Sequence, residues 1–352
     1  MSNTVSINGR LIGKDEPVYV IAEMSANHLQ DFERAKKIML AAKEAGADAI
    51  KLQTYKPETL TLDCYTDEFL ATPGGPWEGQ NLFTLYQTAY TPWEWHKELF
   101  EYAKEIGITI FSSPFDGTAI DLLEDLGCPA YKIASFEIFD IPLIRKAAST
   151  GKPVIISTGV AELKDIQLAI DTCHEVGNDQ IILLKCVSEY PTPYEEINLA
   201  TISNMKDTFP CVIGLSDHSF GSCVPVAAVA LGACVVEKHI TLKRADGGPD
   251  SSFSMEQEEF KAMVEDVRNA KKAIGTIRYK LTDKQSRSRE RGRSLYISQD
   301  MKAGDTFTSE NVKSVRPGYG LHPKYFDDII GKTATKDLKK GDALKWEYVN
   351  QC

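Results

Sequence analysis

"CVIGLSDHSFGS", residues 211–222, decides the fold. A continuously apolar run, CVIGL, stops abruptly at Ser216, Asp217, His218 and Ser219. The pattern returns in ACVVEKH, residues 233–239, where His239 closes a second apolar run. An unbroken apolar run fits a strand covered on both faces, as in a parallel sheet, rather than the alternation of a half-exposed strand. Two such strands, each ending on a histidine, put polar chemistry at the C-terminal ends of buried strands.

Working outward, the same kind of run recurs along most of the chain. VYVIAE (18–23), AIKLQT (49–54), TIFSSP (109–114), YKIAS (131–135), VIISTG (154–159) and IILLKCVS (181–188) precede VIGLSD (212–217) and CVVEKHI (234–240). Helical patterns lie between them. DFERAKKIMLAAKEAG places Phe32, Ala35, Ile38, Met39 and Ala42 on one face and stops at Gly46, a fitting C-cap. Residues 116–127, 161–177 and 254–275 repeat the theme. Strand and helix alternating eight times predict an α/β fold, a (β/α)8 TIM barrel. A doubly wound sheet would show fewer strands and often a G-x-G-x-x-G turn after the first, which is absent.

The barrel is expected to span 1–280. TDKQSRSRERGR (282–293) is polar and highly charged, so 281–293 reads as an exposed linker. A small β-rich domain is expected over 294–352. It holds a near-repeat, DMKAGDTFTSENV from Asp300 and DLKKGDALKWEYV from Asp337, each turning at Gly-Asp. Residues 56–92 form a long insertion, rich in Thr, Gly, Pro and aromatics, on the face where barrel loops shape pockets.

Composition excludes several classes. The formal net charge is −10 over 352 residues, which argues against a nucleic-acid or anionic-membrane surface. No apolar run reaches the roughly 20 residues a membrane span needs, and the first residues lack a secretory apolar core. None of the eight cysteines forms a C-x-x-C pair. A reduced, cytoplasmic enzyme is the expectation.

Barrel chemistry sits where strands end, and every run ends polar: Glu23, Ser25, Asn27 and His28; Lys51 and Gln53; Ser112 and Ser113; Lys132, Ser135 and Glu137; Ser157 and Thr158; Lys185, Ser188 and Tyr190. On adjacent strands His218 and His239 can reach one ion. Neutral imidazoles suit Mn, Fe, Co, Ni or Zn, and two ligands leave positions open for substrate. His28 is a weaker candidate; His96, His174 and His322 read as structural or surface groups. Lys51 and Lys132, inside apolar runs, need anions. A bound phosphate or carboxylate would serve, helped by the hydroxyls of Ser113, Ser135, Ser157 and Ser216. The plainer reading is internal pairing with Glu23, Glu137 or Glu237, and it is stronger for Lys185 and for Lys238 beside Glu237. Glu23 and Glu137 can move protons. Asp250 in GGPDSSFS is equally a turn residue or a group reaching the site, and Asp217 can orient His218.

IAEMSANH, IKLQTY, FSSPF, YKIASFE, ISTG, CVSEYPTP, GLSDHSFG, ALGACVVEKH and SVRPGYGLHPK resemble the sialic acid synthase family, in order and over nearly the whole length. The tail resembles its antifreeze-like (SAF) domain. The resemblance implies condensation of phosphoenolpyruvate with an open-chain N-acylated aminosugar, with phosphate released and a nonulosonic acid formed. It implies a divalent metal on His218 and His239, Mn2+ first, with Mg2+ or Co2+ as alternatives. It places Lys51, Ser113, Lys132, Ser135, Ser157 and Ser216 around phosphoenolpyruvate. Ser188 stands where relatives tend to have Asn. Glu23, Gln53, Tyr190 and Asp250 match sugar-side or acid/base positions, and Arg316 matches a tail arginine reaching the sugar from the partner of a domain-swapped homodimer. SANH replaces the GINH of relatives acting on N-acetylmannosamine. Two competing readings stand beside this one: a Schiff-base aldolase using Lys132 or Lys185, and a glycan-binding protein with a silent barrel.

Overall fold

A computed structural model describes residues 4–71 and 77–350. The chain forms two compact units, Met1–Gly275 and Thr276–Cys352. In the first, eight parallel strands close into a barrel. They are β1 Tyr19–Glu23, β2 Ala49–Thr54, β3 Thr109–Pro114, β4 Tyr131–Ile133, β5 Val154–Ser157, β6 Ile181–Lys185, β7 Val212–Asp217 and β8 Val235–His239. They follow chain order, with β8 hydrogen-bonded to β1. Each expected run contains one strand. Four runs, those ending at Ser135, Gly159, Ser188 and Ile240, were drawn too long at their C-terminal ends, because the strands stop earlier; Ser135 already opens a 3-10 turn, Ser135–Phe139.

The helices form for local reasons that also seat them. Helix α1, Phe32–Glu44, starts where the Asp31 side chain accepts from the Arg34 amide. It buries Ala35, Ile38, Met39 and Ala42. Gly46, at φ +88°, lets the chain turn back toward β2. Helix α2, Gly117–Asp125, is capped by Asp116, which accepts from the amides of Thr118 and Ala119. Helices α3, Leu163–Glu175, and α4, Gln257–Ile274, complete the predicted set.

The sequence reading missed an antiparallel hairpin, Thr4–Ile7 with Arg10–Gly13, whose Ile7 and Ile12 are fully buried. Its signal was present: Asn8 and Gly9 both take positive φ, the Asn-Gly pair of a tight hairpin turn. The insertion 56–92 contains helices Pro57–Leu60 and Leu82–Ala89; 72–76 lie outside the described residues, as does Cys352.

The second unit has its own core, including Leu295, Ile297, Phe307, Val312, Ile329, Leu338 and Leu344. Strands Ser294–Ile297 and Val312–Val315 pair antiparallel. The near-repeat folds onto itself. Met301 bridges Leu338, Lys302 Nζ lies 2.7 Å from Asp337, and Lys339 Nζ lies 3.0 Å from Asp300. Each aspartate also accepts a backbone amide from the other copy, that of Ala303 at 3.0 Å and that of Lys340 at 2.9 Å. The segment expected as a linker instead carries a short exposed helix, Asp283–Arg289, capped by Thr282 and belonging to this unit. Its charge matched a linker, but a Thr-x-x-Gln capping box starts a helix there.

Candidate functional site at the barrel mouth

Register brings the strand ends level. His239 pairs with Glu23, Glu23 with Lys51, Gln53 with Ser113, and Glu237 with Ser216. Lys132 on β4 lies 3.2 Å from Glu237 on β8. Those strands are not neighbours, so the contact runs through the barrel interior.

Glu237 is the hub of the charge network. Its Oε1 lies 3.0 Å from Lys51 Nζ and accepts from Ser216 Oγ at 3.0 Å. Lys51 also pairs closely with Glu23, whose Oε1 accepts from Gln53 at 3.4 Å. Burial alone would raise Glu237, yet Lys132 and Lys51 hold its carboxyl well below the usual range. Burial, partly opposed by Glu237, brings Lys51 down to about 7. The plainer reading of both lysines, internal pairing, is therefore realised. It does not close the site, because an ammonium has three donors and Lys132 makes one ion pair.

The remaining polar atoms point to a ligand. Ser113 Oγ, Ser157 Oγ, Glu137 Oε2, Glu237 Oε2 and His239 Nδ1 are buried with no hydrogen-bond partner among the described residues. Buried polar groups are ordinarily satisfied, and these five gather on the ends of β3, β4, β5 and β8. Side chains pack closely over the backbone of Gly159. A Cβ there would collide with Ser188 Oγ and come within 2.7 Å of Ser135 Oγ and 3.2 Å of Cys186 Sγ. Burial raises the Glu137 carboxyl to about 7, against the pull of Lys132.

The two imidazoles face each other, with ring centroids 5.4 Å apart and planes at 65°. His218 Nδ1 stands 2.9 Å from the Val187 carbonyl. A carbonyl only accepts, so Nδ1 carries the proton. Burial, then the neighbouring His218, drives His239 well below its ordinary value, so it is neutral. Burial would lower His218 too, but the Cys186 thiol beside it and the Val187 carbonyl outweigh that and raise it. Among the described residues no group of three or more His, Cys, Asp or Glu is placed to hold an ion. His218 and His239 are thus the two imidazoles that the barrel mouth brings together, with ring centroids 5.4 Å apart.

Several expectations change. Asp217 does not orient His218. Its carboxylate accepts from Ser219 through Oδ1 and from Lys238 Nζ at 2.6 Å through Oδ2. Lys238 therefore pairs with Asp217 rather than Glu237, because alternate residues of a strand face opposite sides of the sheet. Lys185 donates to the Cys186 carbonyl at 2.8 Å and pairs with no acid among the described residues. Asp250 is buried and accepts from Ser25 Oγ and the Ala26 amide, which ties its segment to the residues that follow β1. His28 is buried and accepts from the Gln30 amide at 3.1 Å, a loop-orienting role. His96 is buried and bonded to Thr54 at 2.8 Å and to Pro92 at 3.1 Å. Arg316 is exposed in the second unit.

Sequence reasoning gave Glu237 no role beyond a pairing partner, and missed Trp77 and Phe253. The Glu237 signal was its spacing, two residues before His239 on one strand. Trp77 and Phe253 lie within 5.7 Å and 5.2 Å of Tyr190, ring to ring. Neither carries a spacing signal, because both come from irregular segments.

Comparison with known proteins adds the following. Residues 38–279 match the NeuB family and residues 292–349 the SAF domain. A pseudaminic acid synthase of Campylobacter jejuni is 48% identical over 94% of this chain and 96% of its own. One from Helicobacter pylori is 46% identical over 96% and 99%. The crystal structure of an N-acetylneuraminic acid synthetase from Leptospira borgpetersenii superposes with a TM-score of 0.73 at 31% identity, covering 82% of this chain and 95% of that one.

Proposed function

The chain belongs to the NeuB family, and from that premise we propose that it condenses phosphoenolpyruvate with 2,4-diacetamido-2,4,6-trideoxy-L-altrose and water, giving pseudaminic acid and phosphate. The observation that carries this reading is the pair of buried hydroxyls of Ser113 and Ser157, without a partner among the described residues, together with the buried ammonium of Lys132. A small anion with several oxygens satisfies that arrangement.

C3 of phosphoenolpyruvate attacks the sugar aldehyde, water adds at C2, and phosphate leaves by C–O cleavage. Lys51, Lys132, Ser113, Ser135, Ser157 and Ser216 bind and orient the enol ester, with Ser188 on their flank. Fixing two reactants in register contributes about 7–11 kcal/mol. His218 and His239 would hold a divalent ion, Mn2+ in preference to Mg2+ or Co2+, which would supply Lewis-acid polarisation of the aldehyde. Glu137, raised to about 7, suits proton transfer near neutrality; Glu23 and Asp250 complete the acid/base set. Gln53 and Tyr190 line the sugar side. Arg316 reaches the N-acyl group of the partner's substrate in a domain-swapped homodimer, and the enzyme works in the cytoplasm. No helix among the described residues is long and apolar enough to cross a membrane.

The test is product mass spectrometry from a panel of diacetamido and acetamido hexoses with phosphoenolpyruvate and Mn2+. The expected product is pseudaminic acid, with stoichiometric phosphate. His218→Ala should abolish turnover with circular dichroism unchanged. Full activity in metal-free buffer, or a borohydride-trapped lysine adduct, would overturn the reading.

A further inference from the structure

The aromatic rings around the histidine pair have no part in binding phosphate. Tyr190 lies 4.3 Å from the His218 ring, 5.2 Å from Phe253 and 5.7 Å from Trp77. Phe253 lies 5.1 Å from the His239 ring. The three come from separate segments: Trp77 from the insertion after β2, Tyr190 from beyond β6, Phe253 from beyond β8. Their meeting is thus a tertiary feature at the site itself. The indole N–H of Trp77 is committed to the Pro249 carbonyl at 3.2 Å. Phe253 has no polar atom and is 2% exposed. Phe253 therefore presents only carbon to the two imidazoles, and Trp77 extends that apolar flank through its contact with Tyr190.

A hydroxyl pressed against such a surface loses its bonds to water without replacement, whereas a methyl group gains. We infer that Trp77, Tyr190 and Phe253 form the recognition surface for the methyl of the acyl group on C2 of the sugar, with Trp77 the specificity-determining residue. This rests on the proposed reaction, which puts the aldehyde carbon, C1, at His218 and His239. The C2 acylamino group is then next to the imidazoles, within range of rings that lie 4.3–5.1 Å from them. The acyl group on C4 is two carbons further away and serves as an internal control.

The experiment compares kcat/KM for sugars with formyl, acetyl or propionyl on the C2 nitrogen, and separately on the C4 nitrogen, using the intact enzyme with phosphoenolpyruvate and Mn2+. In the wild type, removing the C2 methyl should cost about 10-fold or more, the usual value of one carbon in an apolar pocket. Trp77→Ala should compress that ratio below about 3-fold and admit propionyl, with the phosphoenolpyruvate KM unchanged. Trp77→Phe should stay between the two. The same C2 ratio in all three proteins would overturn the inference, as would a C4 ratio that shifts instead. Should Trp77→Ala lack turnover, the Trp77→Phe ratio decides alone: unchanged overturns, reduced supports. Wild-type enzyme releasing no phosphate with any of these sugars would remove the proposed reaction itself, a failure distinct from unchanged selectivity.

Discussion

Ser25 shows how one side chain carries both cost and contact. It holds φ at 45°, the left-handed region, which costs an L-residue about 1–2 kcal/mol. Its hydroxyl donates to the buried Asp250, which also accepts the Ala26 amide at 3.2 Å. Burial raises Asp250 and these two bonds oppose it. Ser25→Ala keeps the backbone cost and deletes the bond, and should lose about 1–3 kcal/mol. Ser25→Gly deletes the bond but relieves the backbone, so it should lose less. Urea unfolding in which Ala equals or exceeds Gly would refute this account. Glu137 gives a pH test. Its folded value, about 7, exceeds the ordinary 4.5, so the folded state binds more protons between those limits. The contribution to stability is then full below about 4.5 and declines as pH rises through about 7. Glu137→Gln should remove this slope. The Tm difference, wild type minus variant, should fall from about pH 5 to about pH 7; a flat difference would refute the raised carboxyl.

At the scale of elements, the ion pair between Asp217 at the end of β7 and Lys238 in β8 pins the loop that carries His218. Lys238 is 1% exposed, bonds Asp217 at 2.6 Å and also donates to the Ser219 carbonyl at 2.5 Å. Removing one partner leaves an uncompensated buried charge. Lys238→Met should therefore cost about 3–5 kcal/mol, and adding Asp217→Asn should recover part of it. Urea midpoints measure both. A double variant as unstable as Lys238→Met alone would show that the charge is not the reason.

At the scale of the molecule, the second unit closes its own core through the reciprocal Asp300 and Asp337 contacts. Residues 276–352 alone should fold cooperatively, with a single thermal transition by circular dichroism. The exposed ion pairs Lys302–Asp337 and Lys339–Asp300 contribute little at their surface positions, whereas the amide bonds to the same aspartates hold the two turns together. Asp300→Asn with Asp337→Asn should keep most of the fold, since an Asn Oδ1 still accepts an amide. A tail that stays unfolded alone would show that its core is insufficient without the barrel.

Hydrophobic run length, strand-ending polar residues and helix caps are local properties, and they determined the eight strands, the barrel class and the paired histidines. The Gly46 cap acts within a few residues, so it too was legible. Tertiary structure alone decided which charges meet. Lys132 finds Glu237 across the barrel, Lys238 finds Asp217 because side chains alternate about the sheet, and Trp77 reaches Tyr190 from an insertion without periodicity. Sequence patterns encode which face a residue takes; the closure of the barrel sets its partner on the far side.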